Sequence, residues 1–345
     1  MHETSADAVS ATPQLTVIIS TLNEAATLPR LLAQLRAQQD IHLEIIVADG
    51  GSTDGTAQLA AVAGVRVITA PRGRSRQMNA GAAGARAATL LFLHADSQLE
   101  NLHLLADALT ALHAAAASAK HERIAGHWAL CFAGYPPEAA AFYRHLQGKT
   151  ALNRPYTING DQGLLIRAHW LRELGGYDEY LPLLEDQCLA AKIFAQGQWL
   201  LLPGRLTTSA RRFETEGRRE RYILMAIIMG LHAAGAGEFF AQMPSIYAAQ
   251  HEAGRLDLAP FLRAIRATLR QRGRLATLRR AGRFVRENTW QIFYWRDQHH
   301  GNLGLPRLRF YDHYLHRYTR NPLADALATL LVSFWFYVWL PLEYR

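Results

Sequence analysis

Residues 45–56 read Ile-Ile-Val-Ala-Asp-Gly-Gly-Ser-Thr-Asp-Gly-Thr. The β-branched run Ile45–Val47 predicts a buried strand, because such side chains fit a pleated interior. Asp49 then stands at the carboxyl edge of that strand. Gly50, Gly51 and Gly55 let the backbone turn with positive φ or come close to a ligand. In open α/β sheets that edge is where ligands bind.

Stretches of the same kind flank it. Leu15–Ser20 predicts a first strand, followed by Thr21-Leu22-Asn23-Glu24 and by Leu28, Leu31, Leu32 and Leu35 at helical spacing. Thr56–Val62 reads as a short helix and Val65–Thr69 as a third strand. Pro71–Gln77 reads as a basic loop, and Met78–Ala88 as a helix of small residues able to lie close on a sheet. Thr89–Leu93 is a fourth strand, ending in His94-Ala95-Asp96-Ser97. Strands alternating with helices argue an α/β fold with a mostly parallel sheet. Several polar strand ends then converge on one edge.

That edge carries the chemistry. Glu24 and Asp49 offer hydrogen-bond acceptors, Arg72, Arg74 and Arg76 offer cations, and Asp96 offers a hard oxygen ligand for Mg²⁺ or Mn²⁺. Together they describe a site for a nucleotide diphosphate. Plainer roles stand beside these. Thr21-x-x-Glu24 fits a capping box. Asp54, Ser75, Asp96 and the pair Glu185-Asp186 are each able to cap a helix, and Asp161 to brace a turn. No G-x-G-x-x-G follows the first strand, which argues against a dinucleotide-binding fold.

The segments Ile19–Glu24, Val47–Thr56, Arg72-Gly73-Arg74-Ser75-Arg76-Gln77-Met78-Asn79-Ala80-Gly81 and Phe92–Ser97 together resemble the family 2 glycosyltransferases of GT-A fold. The Arg-Gly-x-x-x-Gln-Met-Asn and His-Ala-Asp forms resemble a small bacterial subgroup. The resemblance runs from about Leu15 to about Gly230. It implies nucleotide contacts at Thr21, Glu24, Asp49, Arg72, Arg76 and Asn79, with a uracil-type base and so a UDP-sugar as donor. It implies a metal, Mn²⁺ or Mg²⁺, at Asp96 with His94, which stands where the family has the first acid of Asp-x-Asp. Imidazole suits Mn²⁺ better than Mg²⁺. It implies that Asp186 is the general base, with Glu185 and Asp161 beside it in the catalytic group. Gln162 and Arg212 would meet the diphosphate or the acceptor, although Arg212 could instead bridge to Glu214 and Glu216. The implied reaction is inverting transfer of a sugar to a hydroxyl acceptor. Two rivals remain: a degenerate, membrane-bound scaffold, and a sugar-nucleotide pyrophosphorylase, which would want a glycine-rich phosphate loop after the first strand.

The expected organisation is a disordered tail at 1–13, a transferase domain at 14–230 (nucleotide half 14–112, acceptor half 113–230) and a helical extension at 231–345. The tail lacks an apolar run and does not read as a signal peptide. Half of the 345 residues are hydrophobic and 19% charged, a folded composition. The net charge is +8, and only three of the basic residues are lysines. Two distant cysteines, Cys131 and Cys188, argue for a reducing compartment. From Arg255 to Arg286 stand ten arginines and one acid, Asp257, so the basicity is local. Leu258, Phe261, Leu262, Ile265 and Leu269 form an apolar stripe there, which reads as a membrane-surface helix. Residues 326–342 carry no charge and many aromatics, an interfacial or re-entrant pattern. The expected setting is the inner face of the cytoplasmic membrane, with a lipid-linked sugar as one acceptor that would explain these segments and no nucleic-acid partner.

Overall fold

The computed structural model describes residues 12–181, 183–248, 254–302 and 304–344. Most of the expected tail, residues 1–11, therefore lies outside the described residues. By packing the chain falls into two units. One comprises residues up to Gly134 with Leu146–Ser209, and the other comprises Tyr135–His145 with the chain from Ala210 onward.

The first unit is built on a seven-stranded sheet in the order β3-β2-β1-β4-β6-β5-β7. Its strands are β1 (Leu15–Thr21), β2 (Leu43–Asp49), β3 (Arg66–Thr69), β4 (Thr89–His94), β5 (Ile124–Ala133), β6 (Leu164–Arg167) and β7 (Gln198–Ser209). The pairs β1–β2, β1–β4, β2–β3 and β5–β7 are parallel, and β6 runs antiparallel to both β4 and β5. The register fixes the functional edge: Thr21 pairs with Asp49, Asp49 with Thr69, and Ser20 with His94. A polar residue ends each of these neighbouring strands at the same level.

Alternation along the strands feeds two cores. Leu15, Val17 and Ile19 of β1 face one cluster with the leucines of α1 (Leu28–Arg36) and α4 (Leu104–Ala119), while α2 (Thr56–Val62) adds Ala60. Ile18 faces the opposite cluster, where Met78 of α3 (Arg74–Gly84) packs. The small residues of α3 act as expected. A Cβ on Gly81 would lie 2.4 Å from Ile18, so only glycine lets the helix this close to β1.

Several local expectations change. Helix α3 starts at Arg74, not Met78, because Gly73 at φ 138 breaks the chain and serves as its N-cap. Arg74 and Arg76 are thus on the first turn of a helix, and Ser75 is not a cap. Thr21 and Glu24 form no capping box: α1 is preceded by Thr27, whose hydroxyl donates to Glu24 at 2.6 Å. Asp96 caps nothing, since α4 begins only at Leu104 and Gln98 bridges instead to Thr207. Strand β7 has no counterpart in the sequence reading, because Pro203 and Gly204 interrupt it. It lies at the end of the sheet, where proline is tolerated, and its register with β5 shifts between His127 and Ala129.

Helices α5 (Ala140–Thr150), α6 (Ala168–Glu173) and α7 (Glu185–Gln196) follow in the second half of the chain's sheet region. The second unit is helical, with α8 (Arg211–Glu216), α9 (Arg218–Ala233), α10 (Gly237–Ala248), α11 (Ala259–Arg272), α12 (Arg274–Glu287), α13 (Trp290–His299), α14 (Pro306–Phe310) and α15 (Pro322–Phe334). The expected surface stripe on α11 is buried: Leu258, Phe261, Leu262, Ile265 and Leu269 are at most 4% exposed. These side chains hold the unit together and present nothing to a membrane.

Candidate active site

At the end of β2, Asp49 is 4% exposed and meets four donors. Oδ1 accepts from the hydroxyls of Thr21 (3.0 Å) and Ser52 (2.5 Å), and Oδ2 accepts from the backbone N–H groups of Gly51 (3.0 Å) and Ser52 (2.9 Å). A carboxylate offers about four acceptor positions, so its capacity is filled. Burial pushes the Asp49 pKa up, but the bonds from Ser52, Thr21 and Gly51 outweigh it and hold the group below the usual range. The neighbouring loops interlock in the same way. Asn23 binds Ser52 and Thr53, and Asp54 accepts from the Ala25 and Thr56 N–H groups.

Two side chains of the Gln77-Met78-Asn79 segment are clamps. The Gln77 amide is buried and donates to the carbonyls of Thr21 (2.6 Å) and Ala48 (2.9 Å), tying the ends of β1 and β2 together. Asn79, expected at the nucleotide, donates to the Tyr177 carbonyl (2.9 Å) and to Glu179 (2.9 Å) and accepts from the Tyr177 N–H (3.0 Å). It holds the Gly175–Asp178 turn. Arg72 and Arg76 are exposed on the same loop and helix, and Glu24 is half-buried near the β1 end.

A pocket opens on the carboxyl side of β4, lined by Arg74, Met78, His94, Asn159, Gly160, Tyr177, Glu185 and Asp186 among others. Leu184 precedes α7 with φ 66, a conformation costly for a branched residue, and it turns Glu185 and Asp186 onto the first turn of the helix. Neither acid is the N-cap. Asp186 Oδ2 accepts from the Gly160 N–H at 2.7 Å, and its Oδ1 accepts from the Gln187 N–H at 2.8 Å. Glu185 is buried and faces the Arg74 guanidinium at 3.5 Å. Burial pushes the Asp186 pKa up to about 6, the neighbouring Glu185 carboxylate adds to the rise, and Gly160, Arg74 and Gln187 moderate it. A group poised near neutrality in a cleft is a candidate general base.

Loop 158–163 completes the pocket wall. Gln187 donates to the Ile158 carbonyl (2.6 Å) and to Asn159 (3.0 Å), so the loop is stapled to α7. Gln162, expected at the diphosphate or acceptor, is 0% exposed. Its amide donates to the Trp128 and Thr150 carbonyls and binds His127, while its oxygen accepts from the Asn159 N–H. A ligand contact would require breaking that network. Asp161 is about half exposed and stands 3.7 Å from His94 Nδ1. A Cβ on Gly160 would lie 2.9 Å from His94 Nε2 and 3.5 Å from Asp186, so His94, Asp161 and Asp186 crowd round one glycine. Asp96 is half-buried in the turn after β4. Arg212 is exposed on α8 of the other unit, and Glu214 and Glu216 are engaged by Arg218 and Arg221 instead.

Residues 16–175 match the family model described as Glycosyl transferase family 2. This part of the chain belongs to that family. Its mostly parallel sheet between helices is the GT-A glycosyltransferase arrangement. The chain is similar to a PGL/p-HBAD biosynthesis glycosyltransferase of Mycobacterium bovis, 38% identical over 103 residues, which are 28% of this chain and 40% of that relative. It is also similar to the 4,4'-diaponeurosporenoate glycosyltransferase of Staphylococcus haemolyticus, 35% identical over 102 residues, 27% of each chain. The similarity thus spans well under half the length of either relative. Among solved structures, S. aureus TarS 1-349 in complex with UDP aligns at 14% identity and TM-score 0.48, over 87% of this chain and 91% of that one.

The family implies a divalent metal. Among the described residues no three His, Cys, Asp or Glu side chains gather into a metal cage. The residues expected at a cation are His94, at the end of β4, and Asp96, in the turn after it. One carboxylate and one imidazole would leave most of a cation's shell to phosphate oxygens and water, and the imidazole suits Mn²⁺ better than Mg²⁺.

Sequence reasoning did not single out Gln77 or Gln187 as site builders. Arg74 was named only as one of three alternating cations with Arg72 and Arg76, and the helix start at Gly73 and the contact with Glu185 single it out.

Proposed function

We propose that this chain transfers a glycosyl group from a nucleotide-diphosphate sugar, a UDP-sugar, to an acceptor hydroxyl with inversion. The observation that carries this reading is Asp186: a half-buried carboxylate lining the pocket, one oxygen fixed by the Gly160 N–H at 2.7 Å, its pKa raised to about 6 by desolvation and the neighbouring Glu185. It takes the proton of the acceptor hydroxyl as the hydroxyl oxygen bonds the anomeric carbon. The bond from that carbon to the diphosphate breaks on the opposite side, and the diphosphate leaves with the electron pair. One base on the acceptor side is what inversion needs. Arg74, half exposed and held by Glu185 at 3.5 Å, is the cation suited to the diphosphate. Asp96, with His94 beside it, would hold Mn²⁺ or Mg²⁺, which supplies positive charge to the leaving group. Asp49 serves this site by fixing the loop that the base would meet, since its own acceptor positions are filled.

The acceptor is a lipid-borne hydroxyl, and the chain works at the inner face of the cytoplasmic membrane. The exposed apolar helix Pro322–Glu343 supports membrane contact.

The test incubates membranes and the purified full chain with a panel of labelled UDP-, GDP- and dTDP-sugars, with and without Mn²⁺. The wild type transfers label from one of them, and Asp186→Asn loses about 10²–10⁴-fold in rate while still binding the nucleotide in a thermal-shift assay. Equal transfer by both proteins removes Asp186 from the mechanism.

A further inference from the structure

Helix α15 continues through Trp335–Trp339 to Leu340–Glu343, giving a helix of 22 residues long and apolar enough to cross a membrane. Only one of its faces is used inside the unit. At its start Arg286 of α12 pairs with Asp325 at 2.7 Å. At its middle α12 lies so close that a Cβ on Gly282 would come within 2.8 Å of the Thr329 backbone. Near its end Arg219 of α9 pairs with Glu343 at 2.7 Å and lies over the Trp339 ring at 5.4 Å. The helix is strapped at both ends and along one side.

Among the described residues nothing covers the other side. Leu323, Leu327, Leu330, Leu331 and Phe334 share one face at helical spacing, Leu342 follows two turns on, and each is more than half exposed, with Tyr337 (40%) and Val338 (41%) partly exposed between. This is a single apolar stripe, far larger than scattered surface leucines. Helix α12 beside it leaves Arg279, Arg280 and Arg283 exposed. Helix α15 cannot cross a bilayer without drawing these arginines toward the hydrocarbon, each at a cost on the order of a hundredfold in partition. Lying flat, the stripe enters the acyl boundary while the arginines stay at headgroup level.

We infer that the Leu323–Leu342 stripe docks in the plane of an anionic lipid surface, with the α12 arginines on the phosphate layer. This rests on the membrane contact proposed for the chain and is independent of the transferase chemistry. It replaces the α11 stripe, which is buried, as the lipid-facing element.

The experiment is co-sedimentation of the full chain with vesicles of phosphatidylglycerol and phosphatidylcholine, or of phosphatidylcholine alone. Binding to the anionic vesicles is expected, with release by an alkaline carbonate wash. Arg279→Gln and Arg283→Gln each weaken it about fivefold, and the double variant Leu327→Glu/Leu331→Glu abolishes it, with melting temperatures confirming that the variants fold. Equal binding to neutral vesicles, or resistance to carbonate, overturns the in-plane anionic reading and leaves membrane contact standing. No binding to either vesicle overturns both. A dimer in sedimentation velocity that the leucine variants dissociate, without vesicle binding, assigns the stripe to a second copy and overturns the inference.

Discussion

Two acids stand at the carboxyl side of one sheet in opposite electrostatic settings. Asp49 has four donors, and its pKa is held low. Asp186 has two backbone donors, a neighbouring carboxylate and a desolvated, half-buried setting, and its pKa is pushed up to about 6. The loop edge around Asp49 is prebuilt and closed on itself, whereas the pocket beside α7 keeps an acid whose charge is costly. A carboxylate that braces is saturated, and one that reacts is left wanting a proton.

The comparison breaks first at the glycine that carries the Asp186 oxygen. Gly160→Ala drives a Cβ into His94 and toward Asp186, and turnover should fall on the order of a hundredfold with little change in melting temperature. An unchanged rate would mean that the pocket does not depend on this contact. Next, the two acids should affect stability with opposite pH signs. The depressed pKa of Asp49 contributes stability that is present above its unfolded value, about 4, and is lost as pH falls. Asp49→Asn should cost about 2–3 kcal/mol in urea unfolding at neutral pH and remove that acid-side loss. The raised pKa of Asp186 contributes stability below about pH 4 that is lost as pH rises through about 6. Asp186→Asn should therefore be more stable than the wild type at pH 7, by about 1–3 kcal/mol. Parallel pH–stability curves for the two variants would dissolve the contrast. The smallest effect is at Arg74. The wild-type kcat/KM should rise with pH through about 6, as Asp186 ionises. Arg74→Gln removes a cation that eases that ionisation, so the rise should move to higher pH by a few tenths of a unit. A shift to lower pH would place the guanidinium elsewhere.

The sheet was legible where side-chain chemistry alone decides. Ile45–Val47 and Leu15–Ser20 are runs that only a buried strand accommodates, and their polar ends mark the edge that the register later aligns. The pocket acids were legible as a pattern, because Glu185-Asp186 stands just before an apolar helix. The amides were not. Gln77 and Asn79 looked like part of a ligand motif, yet Asn79 finds its partner at Tyr177, 98 residues on. Nothing local says whether an amide will bind a ligand or a distant carbonyl. The α11 stripe and the Leu323–Leu342 stripe have the same periodicity, and only packing decides which is buried. Strand β7 was hidden because Pro203 and Gly204 break a pattern that its edge position allows.

Leu184 carries a consequence for anyone engineering this chain. Its left-handed backbone holds energy that glycine would release, so Leu184→Gly is the kind of change a screen for heat resistance selects. The same release would free the first turn of α7 to rotate, and the Asp186 carboxylate proposed as the base with it. Directed evolution for robustness would then drift toward a tougher protein with a slower reaction, and the drift would begin at a leucine that touches no substrate.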